Sequence, residues 1–264
     1  MLIRRDQLES LCEIAQAAGR EIMAVYRTDF ASWHKQDQSP LTEGDLRADK
    51  VIRAGLESLF PGVFILSEES TSAGSGARDV FFLVDPLDGT REFLRRNDEF
   101  TVNIALIAQG RPMAGVVLAP ALGELFFAAQ GLGAWKRQGD VQTPLRARRS
   151  EGPLRVIGSR SHDDGVLDGW LERLQCAHTY TAAGSSLKFC RIAEGAADIY
   201  PRLGPTNQWD TAAGQAVLEQ AGGAVLAAQG GDLRYGLDRA LLNPHFVALA
   251  DRLTKFPPLQ GAAT

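Results

Sequence analysis

Acidic side chains carry the chemistry open to this chain, and they gather where apolar runs break off. The run Val80-Phe81-Phe82-Leu83-Val84 reads as a buried strand and ends in Asp85-Pro86-Leu87-Asp88-Gly89-Thr90. On a continuing strand Asp85 and Asp88 face opposite sides, because side chains alternate. Pro86 is expected to stop the ladder, and a turn there swings both carboxylates to one side. Gly89 removes side-chain bulk where a ligand approaches the backbone, and Thr90 offers a hydroxyl. Paired acids at a strand's carboxyl end, followed by Gly-Thr, suit a hard cation facing a phosphate. The same residues also make a solvated, inert Asp-Pro turn followed by an Asp-Gly turn, and this stretch alone leaves both readings open.

Two more acidic segments sit at comparable places. Val63 to Leu66 reads as a short strand that leads into Ser67-Glu68-Glu69, and Trp209-Asp210 opens a helix. Neighbouring glutamates at a strand end point different ways, so at most one of Glu68 and Glu69 is a direct ligand. Asp210 alone reads as an acid complementing a helix dipole. Asp45, in Thr42-Glu43-Gly44-Asp45, fits the same dipole role as well as a catalytic one. Taken together, the acids form a set without His or Cys, which suits Mg²⁺ shared with phosphate. Two or more such ions would lower the pKa of a water and neutralise charge on a leaving oxygen. Helix-start amides near Gly89 and Thr90 would hold the phosphate. The chemistry expected is hydrolysis of a phosphate ester without a covalent intermediate.

The elements that must position these acids can be read in order. Residues 6–27 form an amphipathic helix with Leu8, Leu11, Ala15, Ala18, Ile22 and Val25 on one face. Trp33 to Pro40 is a polar stretch. Thr42 then caps a helix that carries Leu46, Val51, Ile52, Leu56 and Leu59 and ends at Pro61-Gly62. The Gly/Ser-rich segment Thr71 to Arg78 reads as a mobile loop. Phe100 to Ala108 and Met113 to Leu118 pair around a tight turn at Gly110-Arg111-Pro112. Gly123 to Ala129 and Gly133 to Lys136 continue this meander. Near residue 150 the pattern changes to alternating α and β. Strands fall at Leu154 to Gly158, Thr179 to Thr181 and Ala197 to Tyr200, and helices at Val166 to Leu174 and after Gly184-Ser185-Ser186. A final helix runs from Trp209 to Ala221-Gly222-Gly223. Arg202 is expected just after its strand, in a rigid turn bracketed by Pro201 and Pro205.

Composition narrows the partners. The chain has 264 residues, 45% hydrophobic and 23% charged, enough for one large domain or two small ones around a cleft. A net charge of -4 argues against nucleic-acid binding, and Arg146-Ala147-Arg148-Arg149 is a short, solvated cluster. No apolar run approaches membrane-spanning length, and Met1 to Asp6 lacks a signal-peptide core. The 3 cysteines, Cys12, Cys176 and Cys190, have neither zinc nor disulfide spacing, so a reducing cytoplasm is expected.

These residues resemble the Mg²⁺-dependent, lithium-sensitive phosphatase superfamily that includes inositol monophosphatase and fructose-1,6-bisphosphatase. The likeness runs from about residue 6 to about residue 247. It rests on Lys35 to Thr42, Leu66-Ser67-Glu68-Glu69, Asp85 to Phe93, Phe100 to Leu106 and Trp209 to Gly214. Gly184-Ser185-Ser186-Leu187-Lys188-Phe189-Cys190 and Tyr200 to Asn207 are similar to the 3'(2'),5'-bisphosphate nucleotidase branch. The resemblance implies an α/β (α+β) fold, a layered αβαβα sandwich with the site between two subdomains. Residues 1–150 would form an α+β subdomain with most metal ligands. Residues 151–264 would form an α/β subdomain with the substrate contacts and one metal ligand.

It also implies roles. Glu68, Asp85, Asp88 and Asp210 would hold two or three Mg²⁺ ions, with the Leu87 carbonyl as a backbone ligand. Thr90 would orient the attacking water, with Asp45 or Glu68 taking its proton. Gly89 and Thr90 amides, with Asp210, would contact the cleaved group. Ser185, Lys188 and Arg202 would hold the nucleotide and its retained phosphate, with His162 at the rim. This sequence departs at Arg91, where Lys is common, in the Ser70 to Arg78 loop, and at Gln208, where an apolar residue is usual. The implied reaction removes the 3'-phosphate of adenosine 3',5'-bisphosphate, as part of sulfate assimilation. An inositol or sugar monophosphatase is the first rival, and a non-catalytic phosphometabolite-binding regulator the second. The implied partner is a small phosphorylated nucleotide, with no nucleic acid and no integral membrane segment. The protein is expected as a monomer or homodimer, cytoplasmic or peripheral on the inner face of the cell membrane.

Overall fold

The computed structural model describes residues 3–30, 32–34, 40–70, 78–161 and 165–259. Helix α1 (Arg5–Tyr26) leads to a short antiparallel pair, β1 (Ser32–His34) and β2 (Pro40–Thr42), and then to α2 (Glu43–Leu59). The pair occupies part of the stretch read as merely polar. A seven-stranded sheet comes next, ordered as β3 (Phe64–Ser67), β4 (Val80–Asp88), β5 (Thr101–Ala108), β6 (Arg111–Ala119), β7 (Glu124–Ala129), β8 (Gly133–Gln138) and β9 (Val141–Pro144). Between β4 and β5 lies the short helix α3 (Thr90–Arg95).

The second half builds a five-stranded sheet. Its order is β11 (His178–Ala183), β10 (Leu154–Ser159), β12 (Ile199–Arg202), β14 (Phe246–Leu249) and β13 (Ala224–Ala227). Its helices are α4 (Val166–Glu172), α5 (Leu187–Ala193) and α6 (Gln208–Gln220).

Alternation along the strands explains the layering. In the large sheet Phe82, Val84, Val102, Ile104 and Val116 face α1 and α2, whose buried stripe includes Leu8, Leu11, Ile22, Ile52 and Leu56. The intervening Phe81, Leu83, Ala105, Ile107 and Val117 face Ala212, Ala213 and Val217 of α6. Both faces are covered, so these strands read as unbroken apolar runs. The smaller sheet closes the far side of α5 and α6 with Tyr200, Phe246 and Ala248, and packs its outer face on Trp170 of α4. The stack is therefore α, β, α, β, α, as the family resemblance implied.

Some expectations shift. In the β5–β6 hairpin the turn residues are Gln109 (φ 51°) and Gly110 (φ 73°), a left-handed pair that matches strand twist. Arg111 and Pro112 already belong to β6. Arg202 is the last residue of β12, paired with Phe246, and does not lie in a following turn. Leu46 is 48% exposed, and Ala48 takes the core-facing place beside Ile52 and Leu56. The strands β9, β13 and β14 were not expected: all of β9 is exposed, so it has no alternation to read, and β13 and β14 are apolar runs of only 4 residues each. Gly115 sets how closely α6 approaches the large sheet. A Cβ there would come within 2.5 Å of the Ala213 carbonyl, so only glycine lets α6 seat on β6.

All three cysteines are free, Cys12 and Cys190 within the core. No helix among the described residues is long and apolar enough to cross a membrane.

Candidate active site

A bulge, not a turn, brings Asp85 and Asp88 together. Strand β4 continues through Pro86 to Asp88. Asp85 pairs with Asn103 and Asp88 with Thr101, so three steps along β4 match two along β5. The extra residue reverses the parity of Asp88 and turns it to the same side as Asp85. Pro86 lies within the irregular stretch, where its missing N–H disrupts no regular ladder. The bulge is pinned locally by the Leu87 N–H, which donates to Asp85 Oδ1 at 3.1 Å. Gly89 comes next with φ 91°, and a Cβ there would press on the Glu99 carbonyl at 3.3 Å.

The other acids arrive from separate elements. Glu68 lies just past the end of β3, with its N–H bonded to the Val84 carbonyl at 3.1 Å. Asp210 is the third residue of α6, in a capping box where it accepts the Asn207 N–H at 2.8 Å. Ligand oxygens of Glu68, Asp85 and Asp210 all lie within 4.8 Å of one another. Asp88 lines the same cavity.

Crowded carboxylates repel one another, which disfavours their charged forms. Burial, then the Glu68, Asp88 and Asp210 charges, push the Asp85 carboxyl well above its ordinary range. Asp210 is raised for the same reasons, burial first and Asp88 next. Burial lifts Asp88 to about 6, opposed by the nearby Lys188 charge. An all-oxygen, mutually repelling set with Asp85 buried and Glu68, Asp88 and Asp210 half-buried is the donor chemistry that fits a hard divalent cation.

Across the cavity the charge reverses. Lys188 in α5 is 4% exposed, and its ammonium donates to the Ser185 and Ala183 carbonyls over the Tyr200 ring. Burial, then Arg202, lower it to about 8. Arg202 is 6% exposed, and its guanidinium is aimed by the Gly204 and Pro205 carbonyls. Neither of the acids near it in sequence, Glu194 and Asp198, partners Arg202. Asp198 is bound by Arg155, and Glu194 by Lys136 and Arg191. The Ser185 hydroxyl is buried without a partner among the described residues and lines the cavity, its backbone held at φ 45°. Acids and cations thus wall one space of about 300 Å³.

Most of the residues expected at the site meet here: Glu68, Asp85, Leu87, Asp88, Gly89 and Thr90 on one side, with Asp210 from α6. Ser185, Lys188 and Arg202 complete the wall. Asp45 does not line the cavity. It is 2% exposed, its carboxylate accepts from Thr42, and burial raises it to about 6. The Thr90 hydroxyl leans on the Leu87 carbonyl at 3.4 Å. His162, the Lys35 to Ser39 segment and residues 71–77 lie outside the described residues.

Two supporting residues were not assigned a role from the sequence, Asp49 and Gln208. Asp49 of α2 holds the Ser67 and Ser70 hydroxyls on either side of Glu68-Glu69. Gln208, standing where an apolar residue is usual, is 1% exposed. Its amide donates to the Gly236 and Ala240 carbonyls and accepts the Gly236 N–H, fixing the start of the helix that carries Asp210. A polar residue beside the Trp-Asp pair was the only hint of it.

The sequence profile of the inositol monophosphatase family matches residues 4–256, and the chain belongs to that family of phosphatases. Among its relatives, the 3'(2'),5'-bisphosphate nucleotidase CysQ of Salmonella typhimurium is 48% identical over 245 residues, covering 90% of this chain and 98% of that one. The CysQ of Buchnera aphidicola is 42% identical over 255 residues, covering 94% and 95%. Among solved structures, CysQ from Bacteroides thetaiotaomicron superposes with a TM-score of 0.83 at 35% identity, over 94% of this chain and 98% of that one. An inositol monophosphatase from Anabaena gives 0.74 at 27% identity, over 96% of each.

Proposed function

We propose that this protein is a Mg²⁺-dependent phosphatase that removes the 3'-phosphate of adenosine 3',5'-bisphosphate, leaving AMP and phosphate. Its sulfated analogue, 3'-phosphoadenylyl sulfate, is a second substrate. The observation that carries this reading is the pairing of two anion-demanding zones in one cavity. The acid cluster can take the cleaved phosphate only through bound cations. Buried Lys188 and Arg202 stand across from it, with no carboxylate among the described residues in hydrogen-bond contact, and suit a second, retained phosphate.

Glu68, Asp85, Asp88, Asp210 and the Leu87 carbonyl are assigned to hold the cations, two or three in number. Bound Mg²⁺ supplies Lewis acidity, lowering the pKa of a water and offsetting charge on the leaving oxygen. The Gly89 and Thr90 amides bind phosphate oxygens where α3 begins. Thr90 Oγ1 orients the attacking water and passes its proton toward Glu68, which lines the cavity where Asp45, held by Thr42, does not. Ser185, Lys188 and Arg202 orient the nucleotide, so the second half of the chain selects the substrate and lends one cation ligand, Asp210, while the first half supplies the other ligands and Thr90.

The test is kcat/KM for adenosine 3',5'-bisphosphate and for inositol 1-phosphate at saturating Mg²⁺, in wild type and Arg202→Ala. The bisphosphate is expected to be the better substrate. The substitution should lower its turnover about thirty- to a thousandfold. The monophosphate should be hydrolysed almost as before. A wild-type preference for inositol 1-phosphate would instead assign a monophosphatase. Absence of turnover on either substrate would assign a binding protein.

A further inference from the structure

Behind the acid cluster runs a chain of buried hydroxyl and amide groups linking the two halves of the molecule. Asn103 Nδ2 donates to Asp88 Oδ2 at 3.2 Å. Ser186 Oγ donates to Asn103 Oδ1 at 2.7 Å. Thr101 Oγ1 lies 2.9 Å from Ser186 Oγ and 3.2 Å from Asn103 Oδ1. Thr101 and Asn103 are 0% exposed and Ser186 is 1% exposed, so water does not substitute for any partner.

The direction of the chain is fixed by what each group can give. An ionised carboxylate only accepts, so Asn103 must turn its amide NH₂ toward Asp88. Its carbonyl then faces Ser186, whose one proton goes there. The Thr101 proton is left for Ser186 Oγ, for the second lone pair of Asn103 Oδ1 or for the more distant Asp88 Oδ2. Ser186 occupies the cap position of α5, where a serine oxygen ordinarily accepts a helix N–H. Here it makes no such cap bond. Its hydroxyl is committed across the domain interface instead.

We propose that Ser186, acting through Asn103, is a positioning residue for Asp88. The contacts from Asn103 and Thr101 fall on one carboxylate oxygen, Oδ2, of a residue that lines the cavity. Because Ser186 stands between Ser185 and Lys188, the same chain ties the loop assigned to the substrate to the acid assigned to the cation. The inference rests on Asp88 as a cation ligand.

The experiment is Mg²⁺ binding without substrate, measured by calorimetry and by the Mg²⁺-dependent rise in Tm. The proteins are wild type, Ser186→Ala, Ser186→Cys and Ser186→Thr. Losing one buried hydrogen bond to the relay should raise the Mg²⁺ Kd about five- to thirtyfold in the Ala and Cys variants. Thr, which keeps the hydroxyl, should recover most of it. With Mg²⁺ saturating, KM for substrate should stay near wild type. Cys is close to Ser in size and a weak donor, so it carries the test if the Ala variant does not fold. An unchanged Mg²⁺ Kd in the Cys variant, with or without a lower Tm, overturns the proposal and leaves Ser186 a packing residue. A wild type that binds no Mg²⁺ overturns instead the ligand role of Asp88.

Discussion

Two regions bury clusters of ionisable side chains, and they are built on opposite principles. At the outer end of the helical layer Glu124, Lys136, Arg191 and Glu194 form a closed set of two acids and two bases. Lys136 bonds both glutamates at 2.5 and 2.9 Å, and Arg191 bonds both at 2.6 and 2.7 Å. Although burial alone would raise it, hydrogen bonds from Arg191 and Lys136 hold the Glu124 carboxyl below its ordinary value. In the cavity Glu68, Asp85, Asp88 and Asp210 crowd together without an equivalent base among them, and Asp85, Asp88 and Asp210 are all raised. The first region completes itself on folding. The second keeps its repulsion after folding, and that asymmetry is the reason for assigning it, and not the first, to a cation.

The comparison breaks most visibly at Asp88. Asp88→Asn should lower kcat/KM about a thousandfold or more by removing one charged ligand. The metal-free Tm should hold or rise, because one repelling charge is gone. A turnover close to wild type, or turnover undiminished in excess chelator, would end the metal reading. Glu124→Ala should behave in the opposite way. It strands Lys136 and Arg191 with one acid between them and should cost about 3 kcal/mol of stability. Denaturant unfolding measures that loss, while activity per folded molecule stays at the wild-type level. Equal damage to activity would mean the two regions are coupled.

Thr90→Ala sharpens the catalytic side. The hydroxyl is assigned to orient water, which matters in the transition state, so kcat should fall about fifty- to a hundredfold with KM nearly constant. A rise in KM at constant kcat would make Thr90 a ground-state phosphate contact. The smallest effect is on pH. Asp45 and Asp88 titrate at about 6 when folded, against an ordinary value of 3.8. Between those values the folded protein holds more protons than the unfolded chain, so stability falls as pH rises. Asp198 and Glu124 are shifted down, and their stabilisation is lost only at more acid pH. The metal-free Tm should therefore be roughly a few degrees lower at pH 7.5 than at pH 5.5. Added Mg²⁺ should raise it more at pH 7.5. A metal-free Tm that climbs across this range would mean that the acids do not repel as their burial requires.

Local rules explain what could be read without coordinates. Thr42 was legible as a cap and forms a box with Asp45, while the matching box of Asn207 with Asp210 starts α6 one residue before the expected Trp209. The stripe of α1 and the apolar runs of β4 and β5 come from helix and strand periods, which act within one element. The acids themselves, and their fitness for an oxygen-loving cation, are also properties of residue type.

Whether those acids meet was decided by contacts between elements. Asp85 and Asp88 share a side because β5 pairs with β4 out of step, and a bulge depends on two strands at once. Asp210 reaches Glu68 because Gly115 lets α6 press onto β6, a contact about a hundred residues apart in sequence. Arg202 could be taken for a surface residue until β12 and β14 paired and buried it. Ser186 stands at the start of α5, and its hydroxyl bonds Asn103 of β5 instead of its own helix. Hydrogen bonds and electric fields depend on distance and burial, and sequence spacing sets neither between segments that meet only when the chain is folded.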